Sequence, residues 1–456
     1  MNTKKVKAAF FTLGCKLNQF ESEAIADAFS LLGADILSDI ASVQDNADIY
    51  VVNTCTVTSK SEQKARRVIR KIAKDFPNSA VIVTGCYAQL EREAINNVAD
   101  NLVVVPQDKK EMLLKLPDFI FVNFNRTDFV KILKEIVDKP VFSENSFYTI
   151  KNEYIFHSRA FLKIQDGCNN FCKYCRVPLA RGKSRSMEYS AVISNIKNLE
   201  KTGYREVVLT GVNISLYKSD AIDLILLIEK ILNNTKKIRI RFSSIEPDSI
   251  EKRYLDIIDK ERICSHFHLP IQSGSDSILA SMGRSYSGNK VIEAVNILKS
   301  ACVNPMISAD IITGFPGETE QDFKDTCDLA EQAALSYLHV FPFSKRPGTA
   351  ASKMKNIIPE RISRERAERL RLLSDKLFSN YALLWENQKV KALLEGTYDK
   401  AGKEWNALSG NYLKLVVSGI PAQIEANIKG QIVKCMVKKQ RASAGNCFDA
   451  EFIEFV

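Results

Sequence analysis

Three cysteines set the chemistry open to this chain. Cys168, Cys172 and Cys175 stand in the run Cys-Asn-Asn-Phe-Cys-Lys-Tyr-Cys, a C-x3-C-x2-C spacing. Thiolates so spaced suit a 4Fe-4S cluster, which normally takes four of them. Three leave one iron without a protein ligand, so a small molecule can complete its shell and react there. Gly167, Asn169 and Asn170 supply the turn-forming residues such a loop needs. Zinc is the rival occupant, yet structural zinc takes four nearby Cys or His ligands, and none follows Cys175 at suitable spacing. The usual partner of an open cluster iron is S-adenosylmethionine, which chelates it through amino and carboxylate groups.

A second triplet lies upstream. Three short apolar runs, Ala8 to Leu13, Asp48 to Val52 and Ser79 to Val83, read as strands, each followed by a helical pattern. Each also runs into a cysteine: Gly14-Cys15, Asn53-Thr54-Cys55 and Gly85-Cys86. Strands alternating with helices predict a parallel α/β sheet. Ligands of open parallel sheets sit beyond the carboxyl ends of the strands. The three thiols are therefore expected to converge although 40 and 31 residues separate them. Ordinary buried cysteines are the plain alternative.

Further along, six apolar strands begin near Phe161, Glu206, Ile238, His266, Ile307 and Tyr337, with amphipathic helices between most of them. The pattern predicts an α/β partial (βα)6 barrel. Its first strand leads into the Cys168 loop, and barrel enzymes work at the C-terminal ends of their strands. Thr210, Gly211, Asn213, Ser243, Glu246, Gln272 and Asp310 fall at or near those ends, and Tyr174 lies inside the cysteine loop, so all are candidates for holding the small molecule. Turn chemistry and barrel packing are the competing explanations. After Trp385, short β-like runs around 390–394, 412–417, 432–437 and 448–456, with glycines near their ends, predict a small β-barrel. The expected organisation is a sheet domain over 1–115, a helix-bearing linker over 116–153 containing Pro117 and Pro140, the barrel over 154–384, and the small β-barrel over 385–456.

Composition agrees with that plan. A chain of 456 residues, 45% hydrophobic, is long enough for two or three cores. No stretch is apolar for long enough to span a bilayer, and the first residues lack a signal h-region, so no membrane partner and a cytoplasmic location are expected. Eleven cysteines in a reducing compartment read as metal ligands or free thiols rather than a disulfide framework. Cys264, Cys302, Cys327, Cys435 and Cys447 have no partner spacing and read as core or surface thiols, and His157 reads as a packing residue. The net charge of +10 favours a polyanionic partner.

Longer stretches carry a resemblance. Phe11-Thr-Leu-Gly-Cys15-Lys-Leu-Asn-Gln-Phe-Glu-Ser22, Val52-Asn-Thr-Cys55-Thr-Val-Thr58, Val83-Thr-Gly-Cys86-Tyr-Ala-Gln89, Lys163-Ile-Gln-Asp-Gly-Cys168, Ser243-Ser-Ile-Glu-Pro247, His268-Leu-Pro-Ile-Gln-Ser-Gly-Ser-Asp276 and Asp310-Ile-Ile-Thr-Gly-Phe-Pro-Gly-Glu-Thr319 together resemble the radical S-adenosylmethionine methylthiotransferases. The likeness covers nearly the whole chain, in the family order of methylthiotransferase domain, radical barrel and C-terminal TRAM domain. It implies two 4Fe-4S clusters. Cys168, Cys172 and Cys175 would hold the one that cleaves S-adenosylmethionine to a 5′-deoxyadenosyl radical. Cys15, Cys55 and Cys86 would hold an auxiliary cluster carrying the sulfur to be inserted. One S-adenosylmethionine would methylate that sulfur and a second would activate a C–H bond.

For the substrate, the helix from Lys60 to Phe76 holds Lys60, Lys64, Arg66, Arg67, Arg70, Lys71 and Lys74 against two acids, and Arg361 to Arg371 forms a second candidate patch. Phosphate contacts by such residues supply much of nucleic-acid affinity. The Gly-Cys15-Lys-Leu-Asn-Gln-Phe-Glu-Ser form of the first motif, with Pro178-Leu-Ala-Arg-Gly-Lys-Ser-Arg-Ser186, resembles the branch acting on N6-threonylcarbamoyladenosine at position 37 of tRNA. Val104-Val-Pro-Gln107 departs from the family's usual Val-Val-Gly-Asn. The expected partners are a tRNA anticodon stem-loop, an electron donor such as flavodoxin or ferredoxin, and an unidentified sulfur donor. Isopentenyladenosine tRNA, a ribosomal protein, and a non-catalytic iron-sulfur RNA-binding role are the alternatives.

Overall fold

The computed structural model describes residues 5–37, 46–116, 121, 124–139, 147–151, 154–258, 261–399, 404–421, 428–441 and 446–456. Its first unit is a five-stranded parallel sheet in the spatial order Asp35–Leu37, Lys7–Thr12, Ile49–Thr54, Ala80–Gly85, Leu102–Val104. The two central strands, Ile-Tyr-Val-Val-Asn-Thr and Ala-Val-Ile-Val-Thr-Gly, are buried at every position, as strands covered on both faces must be. Helix Lys16–Leu31 covers one face with Ile25, Ala26 and Phe29, and helix Ser59–Asp75 covers the other with Ala65, Ile69 and Ile72. Thr58 caps the second helix by accepting the Ser61 N–H at 3.1 Å.

Part of the stretch read as a linker belongs to this core. Helix Arg126–Asp138 packs Phe129, Val130, Leu133 and Val137 against Ile25 and Phe29. The apolar spacing of that helix was visible, but nothing local told which sheet it would cover. Pro117, Pro140 and 143–146 lie outside the described residues.

The second unit is an open barrel of six strands. Ala160–Lys163, Glu206–Thr210 and Arg239–Phe242 form one parallel sheet; His266–Gln272, Met306–Thr313 and Tyr337–Pro342 form another. Single bridges at Ile240 with Ile263 and Ser244 with His268 join them into one wall. Alternate residues such as Phe267, Leu269, Ile307, Ala309 and Ile311 pack outward against the helices in the largest core. Among the described residues, no helix is long and apolar enough to cross a membrane.

The last unit is a closed barrel of five strands, Lys389–Asp399, Glu404–Ser409, Lys414–Ser418, Ile432–Gln440 and Cys447–Phe455. Glu404–Ser409 was absent from the sequence reading because only Trp405 and Ala407 to Ser409 are buried in a polar stretch. Arg239 and Arg241 dock this barrel onto the larger one. They donate to the carbonyls of Lys391, Leu408, Ser409 and Gly410 at 2.9–3.2 Å, while Glu206 balances their charge. Burial alone would raise the Glu206 carboxyl, but Arg241 and Arg239 hold it well below the usual range.

Helix Glu360–Leu383 corrects the charge reading. Arg361 pairs with Glu365, Arg364 with Glu360, Arg366 with Glu318 and Arg369 with Glu320, so this surface is largely neutralised. Helix Ser59–Asp75 keeps its charge: Lys60, Lys64, Arg67, Arg70 and Lys74 are exposed, and none forms an ion pair among the described residues.

Candidate active site

The Cys168 loop is shaped by a glycine. Gly167 has φ 69°, and a Cβ there would lie 2.0 Å from the Lys183 carbonyl oxygen, so no other residue fits without moving the loop. Donors then surround the sulfurs. The Asn170 N–H reaches Cys168 Sγ at 3.5 Å, the Val177 N–H reaches Cys175 Sγ at 3.4 Å, and Arg284 Nη1 reaches Cys172 Sγ at 3.2 Å. Burial pushes the Cys175 thiol up to about 12, so iron binding must displace its proton. An all-thiol donor set backed by N–H groups and a guanidinium fits a 4Fe-4S cluster, whose potential depends on such hydrogen bonds.

The second triplet gathers at one edge of the first sheet. Cys15 precedes helix Lys16–Leu31, Cys55 follows strand Ile49–Thr54, and Cys86 opens helix Cys86–Leu90 directly after strand Ala80–Gly85. Two glycines let these turns close. A Cβ on Gly14 would lie 2.7 Å from Cys55 Cβ, and one on Gly85 would strike the Thr54 carbonyl at 2.3 Å. Burial, then the neighbouring Cys15, pushes Cys55 up to about 12. Arg181 Nε donates to Cys86 Sγ at 3.2 Å. All eleven cysteines are free thiols. Among the described residues no three His, Cys, Asp or Glu side chains are grouped to hold a single metal ion, as zinc would require. A 4Fe-4S cluster spreads its thiolates over separate irons.

Several candidate residues meet at the barrel mouth. Asn213 Nδ2 lies 3.4 Å from Glu246 Oε1, Glu246 accepts from Arg284, and Arg284 reaches Cys172, so one chain of contacts joins two strand ends to the cluster loop. Burial raises the Glu246 carboxyl, with Arg284 opposing. Ser243 Oγ is buried there with no partner among the described residues. Thr210 is buried at its strand end. Gly211 has a packing role, since a Cβ would sit 2.8 Å from Gln165 Oε1, which also accepts the Asn213 N–H. Gln272, at φ 72°, donates to the Pro270 carbonyl. Tyr174 packs against the small core of Ile278, Met282, Phe315 and Ala351. Asp310 stands apart from this chain and pairs with His268 at 3.0 Å. Arg284 was missed in the sequence; its signal is Gly283, which closes the preceding helix at φ 77° and places the arginine.

Two buried charge networks bind the sheet to the barrel, each within a residue or two of a candidate cysteine. In the first, Arg181 joins Cys86, Asn18 and Glu21 of the sheet unit to Asp166, two residues before Cys168, with Lys110 and Lys163 paired to Glu21. In the second, Glu62 accepts from Thr56, beside Cys55, from Arg176, beside Cys175, and from Arg346. The segments carrying the two cysteine triplets are thus joined across an interface of full charges.

A six-stranded open barrel whose first strand runs into the Cys168 loop defines the class, a radical S-adenosylmethionine enzyme. The profile of the Radical SAM superfamily matches residues 162–330, and that of Uncharacterized protein family UPF0004 matches residues 7–105. The chain is similar to the threonylcarbamoyladenosine tRNA methylthiotransferase MtaB of Treponema pallidum (strain Nichols), 35% identical with 92% of this chain and 96% of the relative covered. The MtaB of Bacillus subtilis (strain 168) is 37% identical, with 93% of each chain covered. The tRNA-2-methylthio-N(6)-dimethylallyladenosine synthase of Natranaerobius thermophilus is 30% identical over 85% of this chain and 86% of its own. Among solved structures, the radical S-adenosylmethionine methyltransferase TsrM from Kitasatospora setae shares the fold, with a TM-score of 0.53 and 12% identity over 76% of this chain and 77% of its own. The chain belongs to the radical S-adenosylmethionine methylthiotransferases that modify tRNA, enzymes of iron-sulfur and S-adenosylmethionine chemistry.

Proposed function

We propose that this enzyme places a methylthio group on C2 of N6-threonylcarbamoyladenosine at position 37 of tRNA, consuming two S-adenosylmethionine molecules and using two 4Fe-4S clusters. The observation that supports this reading is that the Arg181 and Glu62 networks tie the segments carrying the two cysteine triplets together. The higher identity to the threonylcarbamoyladenosine relatives, 37% against 30%, favours that branch over the dimethylallyladenosine one.

Cys168, Cys172 and Cys175 would ligate one cluster, and Cys15, Cys55 and Cys86 the other; bound there, the groups would supply a hydrogen-abstracting radical and a transferable sulfur. The protein's own work is aim and shielding. Arg284 presents its guanidinium to both Cys172 and Glu246, so the buried Glu246 carboxyl stands ready to accept from an amino group at the barrel mouth. The Ser243 hydroxyl, without a partner among the described residues, and Asn213 complete that rim. The exposed face of helix Ser59–Asp75 suits the phosphates of an anticodon stem-loop, whose splayed base can be read by its edges. The reductant would be a small electron carrier such as flavodoxin or ferredoxin, and the compartment the cytoplasm.

Anaerobic reconstitution followed by nucleoside mass spectrometry tests the reading. Wild-type enzyme should form the methylthio nucleoside on tRNA, whereas Cys15→Ala should lose that product yet still cleave S-adenosylmethionine under dithionite. A deletion strain with unchanged tRNA nucleosides and an altered ribosomal protein would overturn the tRNA assignment. Failure of the wild type to cleave S-adenosylmethionine would leave only a non-catalytic role.

A further inference from the structure

The interior of the open barrel holds a polar group that the radical and sulfur sites do not use. His266 and His268, Ser308 and Asp310, and Tyr337 and His339 occupy the positions that alternate with the outward-packed residues of the last three strands. Three of the chain's four histidines therefore share one space. His268 meets Asp310 at 3.0 Å and Ser308 at 2.9 Å, and its ring centre lies 5.2 Å from that of His339. His266 stacks on Tyr412 of the small barrel at 4.2 Å; it is 4% exposed, and its Nδ1 has no partner among the described residues.

Lys16 enters this space from the sheet unit. Its Nζ lies 5.6 Å from the centre of the Tyr412 ring, which Arg241 also approaches at 5.2 Å. Lys110 and Lys163, the other lysines of this interface, are buried against Glu21, but Lys16 is half-buried and meets no carboxylate within ion-pair distance among the described residues. The one acid of the group, Asp310, is paired with His268. His339 is exposed and Phe341 is 41% exposed, so the space opens to solvent along the last strand. A cation without a counter-ion, aromatic rings beside it and an open side together describe a seat for a small anion attached to a flat ring.

We propose that Lys16, beside Tyr412, His268 and His339, binds the carboxylate of the threonylcarbamoyl group on the substrate adenine. The assignment rests on the substrate reading above, and the chemistry of the base supports it. C2 and the N6-bearing carbon flank N1 on the same edge of adenine. A base whose C2 reaches the Cys15 site would carry its N6 substituent close by, and Lys16 is the next residue in the chain. An uncharged N6 group would give the half-buried Lys16 ammonium no counter-charge, so the seat selects for the acid.

Cluster-free protein and anticodon stem-loops differing only at position 37 provide the test. The probes carry threonylcarbamoyladenosine, its methyl ester, or plain adenosine. Wild type should bind the acid about tenfold or more tighter than the ester, as expected for a charge-assisted contact. Lys16→Met should bind acid and ester alike, at the ester's affinity, and Lys16→Arg should keep the preference. Equal iron and sulfide content after reconstitution of both variants checks that the Cys15 loop is intact. A preference unchanged in Lys16→Met, no preference in wild type, or an equal loss for all three probes would overturn the assignment. Methylthiolation by reconstituted wild type, followed in parallel, distinguishes the two readings: product formed with any of those outcomes refutes Lys16 alone, and no product refutes the substrate.

Discussion

Replacing Arg181 with methionine should loosen the sheet from the barrel. All five guanidinium N–H groups are engaged: Nε with Cys86 Sγ at 3.2 Å, Nη1 with Glu21 at 2.9 Å and Asp166 at 3.1 Å, Nη2 with Asn18 at 2.8 Å and Glu21 at 3.0 Å. Glu21 and Asp166 are fully buried, so the substitution leaves two carboxylates to share Lys110, Lys163 and the more exposed Arg185. Removing one partner of a buried pair costs about 3–5 kcal/mol. The three remaining cations put the expected cost near the lower end, about 3 kcal/mol, or roughly two decades in an opening equilibrium. Amide hydrogen exchange on cluster-free protein reads it locally: strands Ile49–Thr54 and Ala80–Gly85 should lose about a hundredfold of protection. The sign with pH follows. Burial alone would raise both carboxyls, but Arg181 and the lysines hold them below their ordinary values. Their contribution is thus complete above about pH 5, where the unfolded carboxylates are also ionised, and is lost as pH falls through the folded values. Wild type should weaken between pH 5 and strong acid, and Arg181→Met should weaken less steeply. Unchanged protection in the variant at pH 7 would refute the view that this arginine fastens the interface.

Two further outcomes follow from glycine and carboxylate positions. Gly85→Ala, with φ 97° and a Cβ 2.3 Å from the Thr54 carbonyl, should displace the Cys86 turn and cut reconstituted iron to about half, the Cys168 site still filling; full iron content would contradict the reading. Glu206→Gln strips the counter-charge from Arg239 and Arg241 under the small barrel and should lower its urea midpoint by an amount equivalent to about 3 kcal/mol, read by Trp385 and Trp405 fluorescence, which both pack in that core. A midpoint equal to wild type would show that the carbonyl contacts alone suffice.

The sequence brought candidate ligands into view where they were close in the chain or fell at a repeated structural position. Cys168, Cys172 and Cys175 lie within one loop, and Cys15, Cys55 and Cys86 each follow a strand whose apolar run is unmistakable. The barrel strands began within a residue or two of their expected positions because buried parallel strands are continuous apolar runs. What stayed hidden was pairing at long range. Arg181 with Glu21 spans 160 residues and Arg346 with Glu62 spans 284, and no periodicity marks such partners. The same blindness misread Arg366 and Arg369, whose acids, Glu318 and Glu320, lie on another element.

The two charge networks also set what can be exchanged between relatives. Glu21, Lys110 and Glu62 come from the sheet unit, while Asp166, Lys163, Arg176, Arg181 and Arg346 come from the barrel. A chimera joining one member's sheet unit to another's barrel receives half of each set. Unless the halves match, it buries unpaired charge a residue or two from the candidate cysteines. The inheritable unit for recombining specificity in this architecture is therefore the sheet and barrel together, with the small C-terminal barrel tied to them through Arg239 and Arg241.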